Sequence, residues 1–212
     1  MNLITVTTRH LAAMLPSGYV PPVVPVPVRA PDARELILTR LQQTLAALRP
    51  GLALPNVGHW PHRTVTTNLG GRCYTRIRPG VRLDETECPF VEIQHDYNGA
   101  EQLTTLDEDM SMGEMRLALW GFEKADDQGD TLDSRLRPKL NALRADLIMA
   151  ACAFPYWPSP EDPESLHQTL GRGVSVRLTS QWTEPDQDSP QGFTVIELTV
   201  RYPQNRHGSL GH

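Results

Sequence analysis

The chain has 212 residues, a net charge of −5 at neutral pH and a hydrophobic fraction of 39%, which is enough to bury the core of one domain. The mild acidity argues against a sequence-general nucleic-acid binder, because such proteins need a dense basic face. No stretch approaches the roughly 20 apolar residues of a membrane span. The first fifteen residues lack the basic start and apolar run of a secretion signal. We therefore expect a soluble protein made in the cytosol, with no membrane partner.

The first segment of the chain is rich in proline and valine. Residues 21–28 read PPVVPVPV, and proline both fixes φ and removes a backbone donor. This pattern predicts an extended or polyproline II arm over residues 1–31. Its valines would pack either on the arm's own domain or on a neighbouring subunit. The candidate subunit-contact residues in the arm are Pro21, Val23, Val24, Val26 and Val28.

A helix is predicted directly after the arm. Asp32 followed by Glu35 resembles a capping box, and Pro50-Gly51 marks the end of the helix. Apolar residues recur between these points at helical spacing. They are Ile37, Leu41, Leu45 and Leu48.

Three strands are predicted in the middle of the chain. Residues 73–78 alternate as a half-exposed strand, and residues 90–97 form a second strand with Val91 and Ile93 facing the core. Residues 98–111 are acidic and read as a loop. Residues 114–122 form the third strand, whose core side carries Met115, Leu117 and Leu119.

A long helix and a hairpin complete the predicted domain. Residues 132–151 place leucines on one stripe, although Pro138 should kink the helix or mark its first turn. Residues 174–202 form a hairpin with a long acidic loop at 185–192. Between them, the aromatic and Pro-rich loop around Trp157 is a second candidate subunit contact.

The sum of these elements predicts an α+β fold: a mixed, mainly antiparallel sheet with two main helices packed on one face. The predicted organisation is the extended Pro-rich arm at 1–31, the α+β domain at 32–203 and a flexible tail at 204–212. Three cysteines without paired spacing, Cys73, Cys88 and Cys152, indicate free and mostly buried thiols in a reducing compartment.

Several polar groups could carry chemistry, but each has a simpler interpretation. His59 and His62 could bind a metal with carboxylates of the run 84–87, yet their spacing matches no ligand signature. His95-Asp96 lacks a nucleophile in an elbow-like motif. The loop 68–72 could cradle an anion, but a strand follows it instead of a helix. The acidic runs 84–87 and 101–109 lack calcium-loop spacing. We therefore predict no catalytic, cofactor or metal residue, and no enzyme.

The order of the elements resembles the phage tail terminator family, the lambda-like minor tail proteins. The resemblance covers residues 32–202. It is carried by the helix 34–48, the acidic turn 84–87 running into Pro89–Ile93, the strand 114–122, the helix 132–151 and the strand 194–202. Two features depart from the family pattern: the Pro/Val arm is longer than in short members, and the loop around Trp157 has no counterpart.

The resemblance implies a structural virion protein of a tailed bacteriophage, made in the host cytoplasm. Such proteins form a homohexameric ring that caps the tail tube and joins it to the head connector. The implied partners are other copies of the chain, the tail tube protein, the head-completion protein, and the sheath if the tail is contractile. DNA would pass through the lumen without specific binding. The acidic loops 98–111 and 185–192 are candidates for ring faces or the channel.

Two alternatives remain open. The first is another head–tail adaptor or tail completion protein of the neck, with the same fold class. The second is a small metal-dependent hydrolase that uses His59, His62 and the carboxylates of the run 84–87.

Overall fold

The computed structural model describes residues 32–55, 64–76, 88–95, 104–105, 110–125, 132–171, 173–185 and 191–205. The helices are α1 (Ala33–Ala46), α2 (Leu132–Ala153) and the short α3 (Leu166–Thr169), with a 3-10 turn at Phe154–Tyr156. The strands are β1 (Cys73–Arg76), β2 (Phe90–His95), β3 (Thr104–Thr105), β4 (Met110–Lys124), β5 (Ser175–Pro185) and β6 (Gln191–Asn205).

The strands form one mixed sheet in the order β1-β2-β4-β6-β5, with the short β3 also paired to β4. Only β1 and β2 run parallel among these pairs. The two main helices, α1 and α2, lie on the same side of the sheet and share one core with it. The predicted fold class, α+β with a mainly antiparallel sheet and helices on one face, is confirmed.

The helix-covered face of the sheet is aliphatic and closely packed. Helix α2 approaches β4 at Gly121, where an added Cβ would lie 2.8 Å from a methyl of Leu143 and 2.9 Å from a methyl of Leu147. Only a residue without a side chain allows the helix so close. Four predicted stripe leucines of α2 are fully buried: Leu136, Leu140, Leu143 and Leu147. The predicted inward residues of β2 and β4 are buried as well: Val91, Ile93, Met115, Leu117 and Leu119.

The first helix begins as predicted but ends earlier. The Asp32 carboxylate accepts from the backbone N–H of Arg34 at 3.2 Å, which satisfies one orphan donor of the helix start. No hydrogen bond returns from Glu35 within the described ranges, so the reciprocal half of the capping box is absent there. The helix ends at Ala46, before Pro50, yet the predicted stripe residues Ile37, Leu41, Leu45 and Leu48 are all buried.

Several elements are longer than the sequence pattern predicts. Strand β4 begins at Met110, inside the predicted loop 98–111, and β6 continues to Asn205, beyond the predicted domain end. These two strand ends pair with each other, so each strand continues as far as its partner does. Helix α2 also continues to Ala153. Pro138 lies inside the helix with its side chain exposed.

A β-bulge changes the direction of the side chains in β5. Leu178 pairs with Leu198, and Ser180 pairs with the next residue of β6, Glu197, so Thr179 has no partner. Because of this extra residue, Ser180 and the residues after it point to one face of the sheet, whereas in a strand without a bulge they would point to the other face.

The cysteines are free, as predicted, but the prediction that they are mostly buried is wrong. Cys73 is buried and burial raises its pKa to about 12, whereas Cys88 is half-buried and Cys152 is exposed. Cys152 lies on α2 between two buried alanines, so the helical period directs it away from the core.

Candidate subunit-contact surfaces

The predicted contact residues of the arm, Pro21 to Val28, lie outside the described residues. Trp157, the other predicted contact, follows the 3-10 turn and is half-buried. Its backbone N–H donates to the carbonyl of Phe154 at 3.3 Å, and the Phe154 ring is fully buried in the core. The predicted aromatic cluster is therefore divided: Phe154 belongs to the core, and Trp157 remains partly open to a partner.

The loop after Trp157 is held in place by polar contacts. The carboxylate of Glu161 accepts from the hydroxyl of Ser159, and this hydrogen bond lowers the pKa of Glu161. The Arg40 guanidinium of α1 donates to the carbonyl of Glu164 and lies 3.7 Å from its carboxylate. The loop thus has a defined shape beside α1, as a contact surface requires.

A larger candidate surface lies on the sheet face opposite the helices. Phe90 pairs with Phe122 across β2 and β4, and their rings stack with centroids 4.6 Å apart. The Phe193 ring lies 6.2 Å from Phe122 and 5.4 Å from Trp120, and Trp182 meets Trp120 edge-on at 6.3 Å. We call these five residues, Phe90, Trp120, Phe122, Trp182 and Phe193, the aromatic patch.

The aromatic patch is incompletely covered. Trp182 is 37% exposed and Trp120, Phe122 and Phe193 are half-buried, whereas Phe90 is buried. The indole Nε1 of Trp120 is buried and is the one such side-chain atom without a hydrogen-bond partner in the described part of the chain. A buried N–H without an acceptor costs about 1–3 kcal/mol, so this donor is a local cost to the stability of the fold.

The other end of the same sheet face is charged. Glu114 on β4 pairs with Arg201 on β6, and the Arg201 guanidinium donates to the carboxylate at 3.2 Å. Arg116 and Arg177 are exposed nearby on the same face, by their register. The face opposite the helices thus has an aromatic end and a charged end.

Strand β5 lies at one end of the strand order and presents a further surface. Its Leu178 is 41% exposed, which is unusual for a leucine whose cross-strand partner Leu198 is buried. A cavity of about 250 Å³ lies between α2 and β5. It is lined by Arg137, Leu140, Asn141, Arg144 and Thr183.

The buried carboxylate of Asp146 has a structural role. One of its oxygens accepts from the backbone N–H groups of Thr66 and Thr67, at 3.0 and 2.7 Å, and from both hydroxyls, at 3.0 and 2.5 Å. Asp146 is 2% exposed and lies on α2. These four donors tie the segment before β1 to the long helix.

The candidate chemical groups do not come together in the described residues. No group of three or more His, Cys, Asp or Glu side chains in the described ranges could hold a metal ion. His59, His62, Asp96 and the acidic runs 84–87 and 101–109 lie outside those ranges. His95 is described, and burial together with the charge of Arg34 lowers its pKa.

The loop 68–72 uses its own polar groups internally. The N–H of Gly70 donates to the Asn68 side chain at 3.2 Å, and the Arg72 guanidinium donates to the carbonyls of Asn68 and Pro89. Gly70 and Gly71 adopt φ values of 53° and 82°, which form the turn into β1. The donors that an anion would need at Gly70 and Arg72 are therefore already engaged.

No family model matches the chain, and a search of curated proteins finds no relative. None of the described helices is long and apolar enough to cross a membrane. The aromatic patch was missed by the sequence prediction, although the signal was present. Trp120 and Phe122 fall on the non-core side of the predicted strand 114–122, where polar residues are expected.

Proposed function

We propose that this chain is a structural virion protein of a tailed phage: a ring-forming tail terminator that caps the tail tube and joins it to the head connector. The observation that carries the proposal is the order of elements within one mixed sheet. Among the described residues a helix comes first, then the central strands, a long helix and a closing hairpin, with both main helices on one face. This is the order on which the resemblance to tail terminators depends.

The proposal is also supported by the surfaces that this arrangement leaves available. A subunit of a closed ring needs two different and complementary side patches, because each copy contacts its neighbours head to tail. The aromatic patch and the loop of Trp157 are two such surfaces on opposite faces of the sheet. Their half-buried aromatic side chains are of the type enriched at protein interfaces.

The oligomeric state of the full chain gives the first test. Six copies of a 23.7-kDa chain would weigh about 142 kDa, and native mass measurement should find that species at high protein concentration. A strict monomer under the same conditions, both alone and with tail tubes, would contradict the proposal.

The position in the particle gives the second test. In imaged virions the protein should form a ring at the head-proximal end of the tail tube. Adding the purified chain to polymerising tube protein should stop the growth of tubes at the capped end. A ring found elsewhere in the neck would instead identify another head–tail adaptor.

A further inference from the structure

The cavity between α2 and β5 contains two cationic side chains in its wall. Arg137, Asn141 and Arg144 follow one another at intervals of four and three residues, so they share one face of α2. Leu140 adds an apolar part of the wall, and Thr183 contributes from β5. No carboxylate is among the described residues of this wall, so its charge is that of two guanidinium groups. Such a wall favours an anion.

Arg144 is the more enclosed of the two cations. Its side chain is half-buried, whereas that of Arg137 is exposed. Neither of the ion pairs between described residues involves Arg144. A guanidinium group has five N–H donors in a planar fork, and this fork matches the oxygens of a carboxylate or a phosphate.

The hydroxyl of Thr183 decides which anion fits. Thr194 is fully buried, and its hydroxyl donates to the carbonyl of Trp182 at 3.2 Å. Because a hydroxyl has one hydrogen, the 3.1 Å contact between the hydroxyls of Thr183 and Thr194 must use the hydrogen of Thr183. Thr183 therefore offers only lone pairs to the cavity, and the partner that suits it is a hydrogen-bond donor.

Inorganic phosphate meets both requirements, because at neutral pH it is an anion that keeps at least one proton. Its charged oxygens can accept from the guanidinium groups, and its P–OH group can donate to Thr183. Sulfate and the phosphodiesters of nucleic acids carry no proton at this pH. Phosphate monoesters have lost most of theirs, since their second pKa is about 6. A volume of about 250 Å³ admits an ion of this size together with water.

We propose that the cavity between α2 and β5 is a binding site for inorganic phosphate, which Arg137 and Arg144 hold by its charged oxygens and Thr183 recognises by its proton. The inference goes beyond the proposed function and does not depend on it, because the site lies within one subunit. A bound phosphate joins the long helix to the closing hairpin, so it should stabilise the folded chain by mass action.

The experiment is a calorimetric titration of the full chain with sodium phosphate at pH 7, in parallel with sodium sulfate at the same ionic strength. We expect one phosphate per chain, and sulfate should bind about ten-fold more weakly, as expected for one hydrogen bond to a charged group. The melting temperature should rise more with phosphate than with sulfate. Absence of saturable phosphate binding, or equal affinity for the two ions, would overturn the proposal.

Two variants locate the site. Arg144→Gln removes one guanidinium group from the wall, so phosphate should bind about ten-fold more weakly. Arg177→Gln is the matched control, because Arg177 is exposed on β5 and lies on the sheet face opposite the helices. It should leave the phosphate affinity unchanged. The melting temperature without added ions establishes that each variant is folded. An equal loss of affinity in both variants would show general attraction of anions and would overturn the assignment to the cavity.

A further pair of variants tests the recognition of the proton. Thr183→Val removes the acceptor, so the ratio of the phosphate affinity to the sulfate affinity should fall from about ten to about one. Thr183→Ser keeps the hydroxyl and should keep the ratio. A ratio that is the same in both variants would overturn the proposal. Particle imaging separates this inference from the proposed function. A ring on the tail without phosphate binding would overturn the inference alone, and phosphate binding by a protein that never occupies a tail would overturn the proposed function alone.

Discussion

The two faces of the sheet are built by alternate residues of the same strands, yet they differ in kind. On β4, Leu119 and Gly121 face the helices and are buried, while Trp120 and Phe122 face the other way and are half-buried. The helix-covered face is aliphatic and closes on α2 with little space to spare. The opposite face is aromatic and contains an unsatisfied donor. The first face is closed by the helices, whereas the second combines the buried Phe90, Glu92 and Val195 with a partly exposed Trp182.

The largest expected effect lies on the helix side, at the buried carboxylate. Asp146→Ala leaves the N–H groups and hydroxyls of Thr66 and Thr67 without their acceptor, so the free energy of unfolding should fall by about 3–5 kcal/mol. Urea unfolding followed by circular dichroism measures this. Asp162→Ala is the matched control, because Asp162 accepts from a single exposed N–H, and it should cost less than about 1 kcal/mol.

The next effect compares two positions on one strand. Gly121→Ala places a methyl within 3 Å of Leu143 and Leu147, so the free energy of unfolding should fall by about 1–3 kcal/mol. Ala118→Thr adds atoms on the opposite face and should change it by less than about 0.5 kcal/mol. Equal losses at the two positions in urea unfolding would show that both faces are closely packed, contrary to the comparison.

A smaller effect on stability, with a larger effect on assembly, is expected at the aromatic patch. Trp182→Ala removes a side chain that is 37% exposed, so the free energy of unfolding should fall by about 1 kcal/mol or less. Association between copies, measured by sedimentation, should weaken by ten-fold or more, because large aromatic side chains dominate interface energetics. If stability fell sharply while association was unchanged, the patch would belong to the core.

The smallest effect concerns pH. The pKa of His95 is lowered by burial and by the charge of Arg34, so the unfolded chain binds this proton more readily than the folded chain. The contribution of His95 to the free energy of unfolding is therefore retained near neutral pH, and it is lost as the pH falls below 6.5, the ordinary pKa of histidine. His95→Gln should make the melting temperature less dependent on pH between about pH 7 and 5. A steeper dependence in the variant would reverse the sign of this argument.

The elements of the fold were predictable because burial on one side leaves a strong pattern. The leucines of α2 recur at helical spacing, and the alternation around Leu117 and Leu119 marks β4. Element ends were less predictable, since β4 extends to Met110 only because Asn205 pairs with it. No local pattern reports the length of a distant partner strand.

The candidate site was harder to predict for the same reason. Trp120 and Phe122 are neighbours in sequence, but Phe90, Trp182 and Phe193 reach them only through the register of β2, β5 and β6. The sequence therefore contained every member of the aromatic patch without indicating that they meet. Trp157 was predicted as a contact from its local composition, and its half-buried position leaves that prediction standing.

The unpaired Thr179 marks the position in β5 where a one-residue deletion would leave the pairing of its neighbours unchanged. Deleting it would close the bulge and leave Ser180 opposite Glu197, whereas a deletion at a paired position such as Gln181 would turn over the residues that follow it. In that second case Trp182 would lie opposite Ile196, on the helix-covered face of the sheet. When homologous sequences are aligned, a single gap at Gln181, and not one at Thr179, would therefore separate proteins that share the fold from those that can also share its mode of assembly.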